Sequence, residues 1–197
     1  MWKRLAHLAF WLGASLYFGG LVTLGVIAAP AIFETAHSGN LSMPAISPPL
    51  EMWKQVGGEI FGNILNRFVW VEVISLVLLL VGIGVPLVTH RPVRRSAVIS
   101  FILWLILAAV VSYDSAFLRP KVWTMRDQLR GSAITHVSAG TQPSTQPWPE
   151  RDEFETLHDR SEMLGRVKVY VLLGLILLGS IRGLTEKPLS KQQSIET

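Results

Sequence analysis

Four ionisable side chains stand in or beside apolar runs that would not ordinarily carry them: Glu72, Asp114, Arg166 and Lys168. A charge within hydrocarbon is costly, so it faces the protein interior, finds a partner, or has a task on an ion or proton path. Two acids and two bases permit two kinds of chemistry. In the first, Asp114 and Glu72 pair with Arg166 and Lys168 across helices and fix the order and register of a bundle. In the second, the same groups line a polar pocket that binds or passes a small solute or ion. The acids would supply its negative side and the bases its positive side. Static pairs and functional sites perturb titration alike, so residue type alone leaves both open.

Histidine and serine extend the candidate site. Phe154, His158, Ser161, Gly165, Lys168 and Leu172 are spaced 4, 3, 4, 3, 4, which puts them on one helix face with His158 at the mouth of the charged layer. A histidine can ligate metal or haem, carry a proton, or simply bond to a loop, and His158 has no second histidine in register. His7 lies near the opposite membrane face, His37 and His136 in loops, and His90 in a basic turn. No metal site is predicted, with His158 as the weak candidate, and no catalytic residue. The chain has neither His-Glu-x-x-His nor Gly-x-Ser-x-Gly, and no phosphate loop, because no Lys-Ser/Thr follows its glycines. With no cysteine it can form no disulfide, iron–sulfur cluster or thiolate metal site.

Positioning these groups requires membrane-spanning elements. Half of the 197 residues are hydrophobic and only 16% charged, which is the composition of a multi-pass membrane protein. The net charge of +4 lies mostly at the ends of apolar runs, which argues against nucleic acid as a partner and for the lipid bilayer. The expected fold is all-α: an integral membrane four-helix bundle in one domain, with spans near 5–30, 66–88, 96–118 and 157–183. An amphipathic helix over 51–66 precedes the second span, since Met52, Trp53, Val56, Ile60, Phe61 and Ile64 recur at helical spacing. Residues 34–50 and 131–150 read as loops and 185–197 as a mobile tail. The first run exceeds the h-region of a signal peptide and Pro30 disfavours cleavage there, so it reads as a retained helix. Gly19, Gly20, Gly57, Gly58, Gly179 and Gly183 are read as helix-packing positions, including the patterns Ser15-x3-Gly19 and Gly179-x3-Gly183.

Short basic segments set the orientation. Lys3 and Arg4, then Arg91, Arg94 and Arg95, then Arg182, Lys187 and Lys191 put both termini in the cytoplasm. Trp53, Trp70 and Trp123 then fit an outer aromatic belt and Trp2 an inner one. Counted from those bases, Glu72, Asp114, Arg166 and Lys168 fall about 20–28 Å deep in a hydrocarbon layer of ~30 Å, in one outer layer with Gly19 and Gly20 nearby. Arg119 and Lys121, just past Asp114, read as interfacial anchors rather than its partners.

Several short motifs resemble the family of small four-helix proteins related to transmembrane protein 205, most of them of unknown function. They are Trp11-x-Gly13, Phe18-Gly19-Gly20 and Ala29-Pro30-Ala31-Ile32-Phe33, then Gly57-Gly58-Glu59-Ile60-Phe61-Gly62-Asn63. Asp114 with Arg119-Pro120 and Arg126, and Phe154-x3-His158-x2-Ser161, complete the set. The resemblance implies a four-helix membrane fold and, for bacterial members, the inner (plasma) membrane. More loosely, it extends to four-helix copper-resistance and haem-biosynthesis proteins, but these spans lack a mid-membrane histidine pair, which leaves haem or copper in doubt.

The function expected from sequence is a non-enzymatic membrane protein whose polar layer binds or passes a small solute or ion, which for so small a bundle implies a homo-oligomer. The alternatives are a structural or interaction subunit with a membrane-complex partner, and a haem- or metal-binding redox membrane protein.

Overall fold

The structure is a computed structural model, and it describes residues 2–38, 49–89, 95–138 and 149–185, all but Ser38 helical. Helix α1 (Trp2–Val22), a π-helical segment (Thr23–Ala28) and α2 (Ala29–His37) run end to end as span 1. Span 2 is a single helix, α3 (Pro49–Thr89). Span 3 joins α4 (Arg95–Tyr113), a second π segment (Asp114–Leu118) and α5 (Arg119–Ser138). Span 4 is α6 (Pro149–Thr185). All four contain segments long and apolar enough to cross a membrane, and the chain is an all-α integral membrane protein of the four-helix-bundle class.

The helices are longer than the hydropathy pattern suggests. The amphipathic 51–66 stretch is continuous with span 2 rather than a separate element. Its glycines do not break it, because a helix already nucleated propagates through weak formers. For the same reason α5 carries on through 131–138, predicted as loop, and takes His136 into a helix. Helix α2 likewise covers residues 34–37. Span 4 opens at Pro149, whose fixed φ and missing N–H suit a first helical position. The rest of the expected loops (39–48 and 139–148), the turn 90–94 with His90, and the tail from 186 lie outside the described residues.

Three internal prolines fail to end their helices: Pro86 sits within the regular α-helix of span 2, while Pro30 and Pro120 share another arrangement. Each π segment closes on an X-Pro dipeptide, Ala29-Pro30 or Arg119-Pro120. Proline offers no N–H to the carbonyl four residues back, and its ring crowds that carbonyl. A π-turn widens the backbone there. The Ala29 N–H donates to Leu24 O, and the Arg119 N–H to Asp114 O, both five residues back.

The chain divides into two compact units: residues 1–104 with 172–197, and residues 105–171. In the first, spans 1 and 2 pack at backbone distance. A Cβ on Gly13 would stand 2.9 Å from Ser75 O, and one on Gly82 would stand 2.7 Å from the Phe10 backbone. Gly20 receives Phe68, Gly57 receives Phe33, and Gly179 on span 4 receives Phe10. The Trp104 indole N–H donates to Leu76 O at 2.9 Å and ties span 3 to span 2. Gly19 and Gly58, expected to pack, have open space instead, and the surroundings of Gly183 lie outside the described residues.

The second unit is held by larger side chains. Leu118, Met125 and Leu157 form a buried cluster, flanked by Val122, Phe154 and Leu164. Lys121 pairs with Glu153 at 3.1 Å on the exposed rim of the same helices. In both units hydroxyls turn back on their own helix: Ser100 bonds to Ser96 O and Ser180 to Ile176 O in the first, and Thr124 to Pro120 O in the second. Such local bonds let polar residues sit in an apolar segment.

Candidate functional site: a buried ion cluster at a π-turn

Asp114 opens the π segment of span 3 and is buried, with 4% of its surface exposed. Its partners come from two directions. Lys168, on span 4 and 2% exposed, places Nζ 2.6 Å from Asp114 Oδ2. Arg119, five residues along the same span, brings Nη2 to 2.9 Å and Nε to 3.0 Å from that same oxygen.

The Arg119 contact corrects its reading as an interfacial anchor. In a regular α-helix of 3.6 residues per turn, a residue five along is rotated by ~140° and faces elsewhere. The extra residue held in the π-turn gives positions 114 and 119 the relation that i and i+4 have in an α-helix. Lys121 does not join the cluster and lies in the exposed pair with Glu153.

One oxygen of the carboxylate takes three nitrogen contacts and the other takes none. Among the described residues, Asp114 Oδ1 is buried without a hydrogen-bond partner, and so is the hydroxyl of its neighbour Ser115. A buried polar atom left unpaired ordinarily costs about 1–3 kcal/mol, which a donor-bearing ligand or water would recover.

The other acid, Glu72, is fully buried in the first unit. Tyr17 Oη donates to Glu72 Oε1 at 3.2 Å. Ser75, on the same face one turn later, has a buried hydroxyl without a partner among the described residues. Each unit thus holds one of the two acids.

Arg166 does not join the buried groups. Its side chain is 74% exposed and meets Glu162, one turn back on span 4, at 3.4 Å. It stands two positions before Lys168, which turns it well off that face of the helix. His158 is exposed too, stacked on Phe154 with ring centroids 6.0 Å apart, and lies 3.5 Å from Glu162. Ser161 is half-buried on the face leading to Lys168. Among the described residues no three His, Asp or Glu side chains converge as a metal site would require. His7 accepts a hydrogen bond from the Trp11 indole at 3.1 Å, and His37 is exposed at the end of α2.

Sequence reasoning missed Arg119, Tyr17 and the two orphan hydroxyls. The usable signal was the X-Pro dipeptide after Asp114, since a helix can widen its turn to run through a proline. Tyr17 gave none, because one tyrosine in an apolar run looks like any core aromatic.

No family model, curated protein or solved structure matches the chain.

Proposed function

We propose that this integral membrane protein binds or passes a small polar solute or ion at the Asp114 cluster, without covalent chemistry. The observation that carries the proposal is the uneven use of the Asp114 carboxylate. Oδ2 holds Lys168 and Arg119 while Oδ1, also in the protein interior, has no donor among the described residues. A ligand that gives an O–H or N–H to Oδ1, with Ser115 Oγ beside it, would complete the set. π-Turns within α-helices are frequent at functional sites, which supports the same reading. Kinship with the transmembrane protein 205 group, a bacterial inner-membrane location, cytoplasmic termini and a homo-oligomer are further parts of this proposal.

A second reading rests on the 2.6 Å contact between two buried charges. The cluster would then be an internal clamp in a subunit of a larger membrane complex. One experiment separates the two. Proteoliposomes holding wild-type protein or Asp114→Asn are exposed to jumps in pH and in inorganic ions on a solid-supported membrane, and unfolding is measured on the same samples. A charge displacement lost in a stably folded Asp114→Asn protein supports solute binding. Unfolding of Asp114→Asn that is rescued by exchanging Asp114 and Lys168 supports the clamp.

A further inference from the structure

A cleft of about 590 Å³ opens at the start of the apolar part of span 2, lined by Ile60, Asn63, Ile64, Asn66 and Arg67. It lies in the first unit and owes nothing to the Asp114 cluster. Arg67, Asn63 and Asn66 are exposed and make no hydrogen bond or ion pair among the described residues. One guanidinium and two carboxamides therefore face one cleft with donors that no described residue takes up. That donor set matches a phosphate, whose oxygens suit the planar guanidinium fork.

The surface below the cleft says which phosphate. Asn63, Arg67, Trp70, Ile74, Val77 and Val81 are spaced 4, 3, 4, 3, 4 and so form one stripe down the helix. Trp70 is 71% exposed, and Ile74, Val77 and Val81 are exposed as well. From Arg67 to Val77 the helix rises ~15 Å, the depth of one leaflet of a ~30 Å hydrocarbon layer. A cationic, amide-lined head position above an indole and a straight apolar track is the complement of a phospholipid. A free phosphate would use the head position only and would leave the track without a role.

We infer that this face of span 2 holds one anionic phospholipid, its phosphate on Arg67, Asn63 and Asn66 and an acyl chain along Trp70, Ile74 and Val77. An arginine that merely anchors the helix at the interface would meet lipid head groups without selecting among them.

The test is native mass spectrometry of the full chain, released from detergent holding equal amounts of phosphatidylglycerol and phosphatidylcholine. Wild-type protein should keep one phosphatidylglycerol in at least tenfold preference to phosphatidylcholine. Arg67→Gln should abolish the preference, and Asn63→Leu with Asn66→Leu should weaken it several-fold by an independent route. Lys121→Gln, which removes another exposed cation, should leave it unchanged. Equal retention of the two lipids, or an Arg67→Gln protein that still selects phosphatidylglycerol, overturns the inference. So does displacement of the adduct by millimolar inorganic phosphate alone, which would make the cleft a free-phosphate site.

Discussion

Arg119 and Asp114 are five residues apart on one helix, yet their side chains meet at 2.9 Å because the turn between them is π rather than α. The turn closes on Arg119-Pro120, so the proline that would have broken span 3 instead accompanies the geometry that pairs its buried acid.

The dependence can be tested by changing the length of the turn. Pro120→Ala removes the obstacle to a regular α-helix, in which Arg119 would rotate away from Asp114. The expected result is a loss of about 1–3 kcal/mol in chemical unfolding, from a carboxylate left short of one partner. Deleting the exposed Ala116 in the same background returns the arginine to the i+4 position and should restore most of the loss. A Pro120→Ala protein as stable as wild type would show that the turn is π for another reason.

The pair across the helices should be worth more to keep than to own. Removing one member of a buried ion pair leaves an uncompensated charge and typically costs about 3–5 kcal/mol, whereas replacing both by apolar residues of similar size is often neutral. Lys168→Met should accordingly be severely destabilising, and Asp114→Leu with Lys168→Met much less so. Thermal unfolding of wild type, Asp114→Leu, Lys168→Met and the double variant in detergent measures the coupling. Additive effects of the two substitutions would contradict it.

In the first unit, Tyr17→Phe deletes the hydroxyl that donates to the buried Glu72 carboxylate. The ring remains to pack against Phe68, so the loss reflects the hydrogen bond itself. A destabilisation of about 1–3 kcal/mol is expected, relieved in part by Glu72→Gln in the same chain, since an amide is cheaper to bury than a carboxylate. The double-mutant cycle is read from unfolding midpoints.

The glycines divide into two groups with opposite expectations. Gly82→Ala drives a methyl into the Phe10 backbone, where nothing flexible can yield, and should cost about 1–3 kcal/mol or more. Gly19→Ala meets open space and should be neutral or stabilising by up to ~1 kcal/mol through helix propensity alone. Paired unfolding curves decide it, and equal effects would refute the packing described for Gly82.

His158 offers a simple control on redox chemistry. With its ring stacked on Phe154 and Glu162 at 3.5 Å, the expected outcome is no Soret band and no stoichiometric copper in purified protein. A Soret band lost in His158→Ala would establish a haem site.

The class of protein, the number of apolar helices long enough to cross a membrane and the residues out of place within them were legible along the chain. These follow from composition and from runs of apolar residues, which are local properties of the chain. The sequence also showed that Asp114 and Lys168 need partners, because an isolated charge in an apolar segment is costly wherever the segment goes. Which partners they take was a tertiary matter. Counting depth along the chain made Arg119 an interfacial anchor, and equal depth gave Arg166 the same standing as Lys168. A single π-turn corrected the first by adding a residue to the turn, while the facing of span 4 sent Arg166 outward to Glu162. Gly19 and Gly20 are neighbours in the chain and equal in type, but only Gly20 receives the Phe68 ring. Depth and residue type are legible along one dimension. Facing depends on the local turn and on the neighbouring helix, and only the folded chain supplies both.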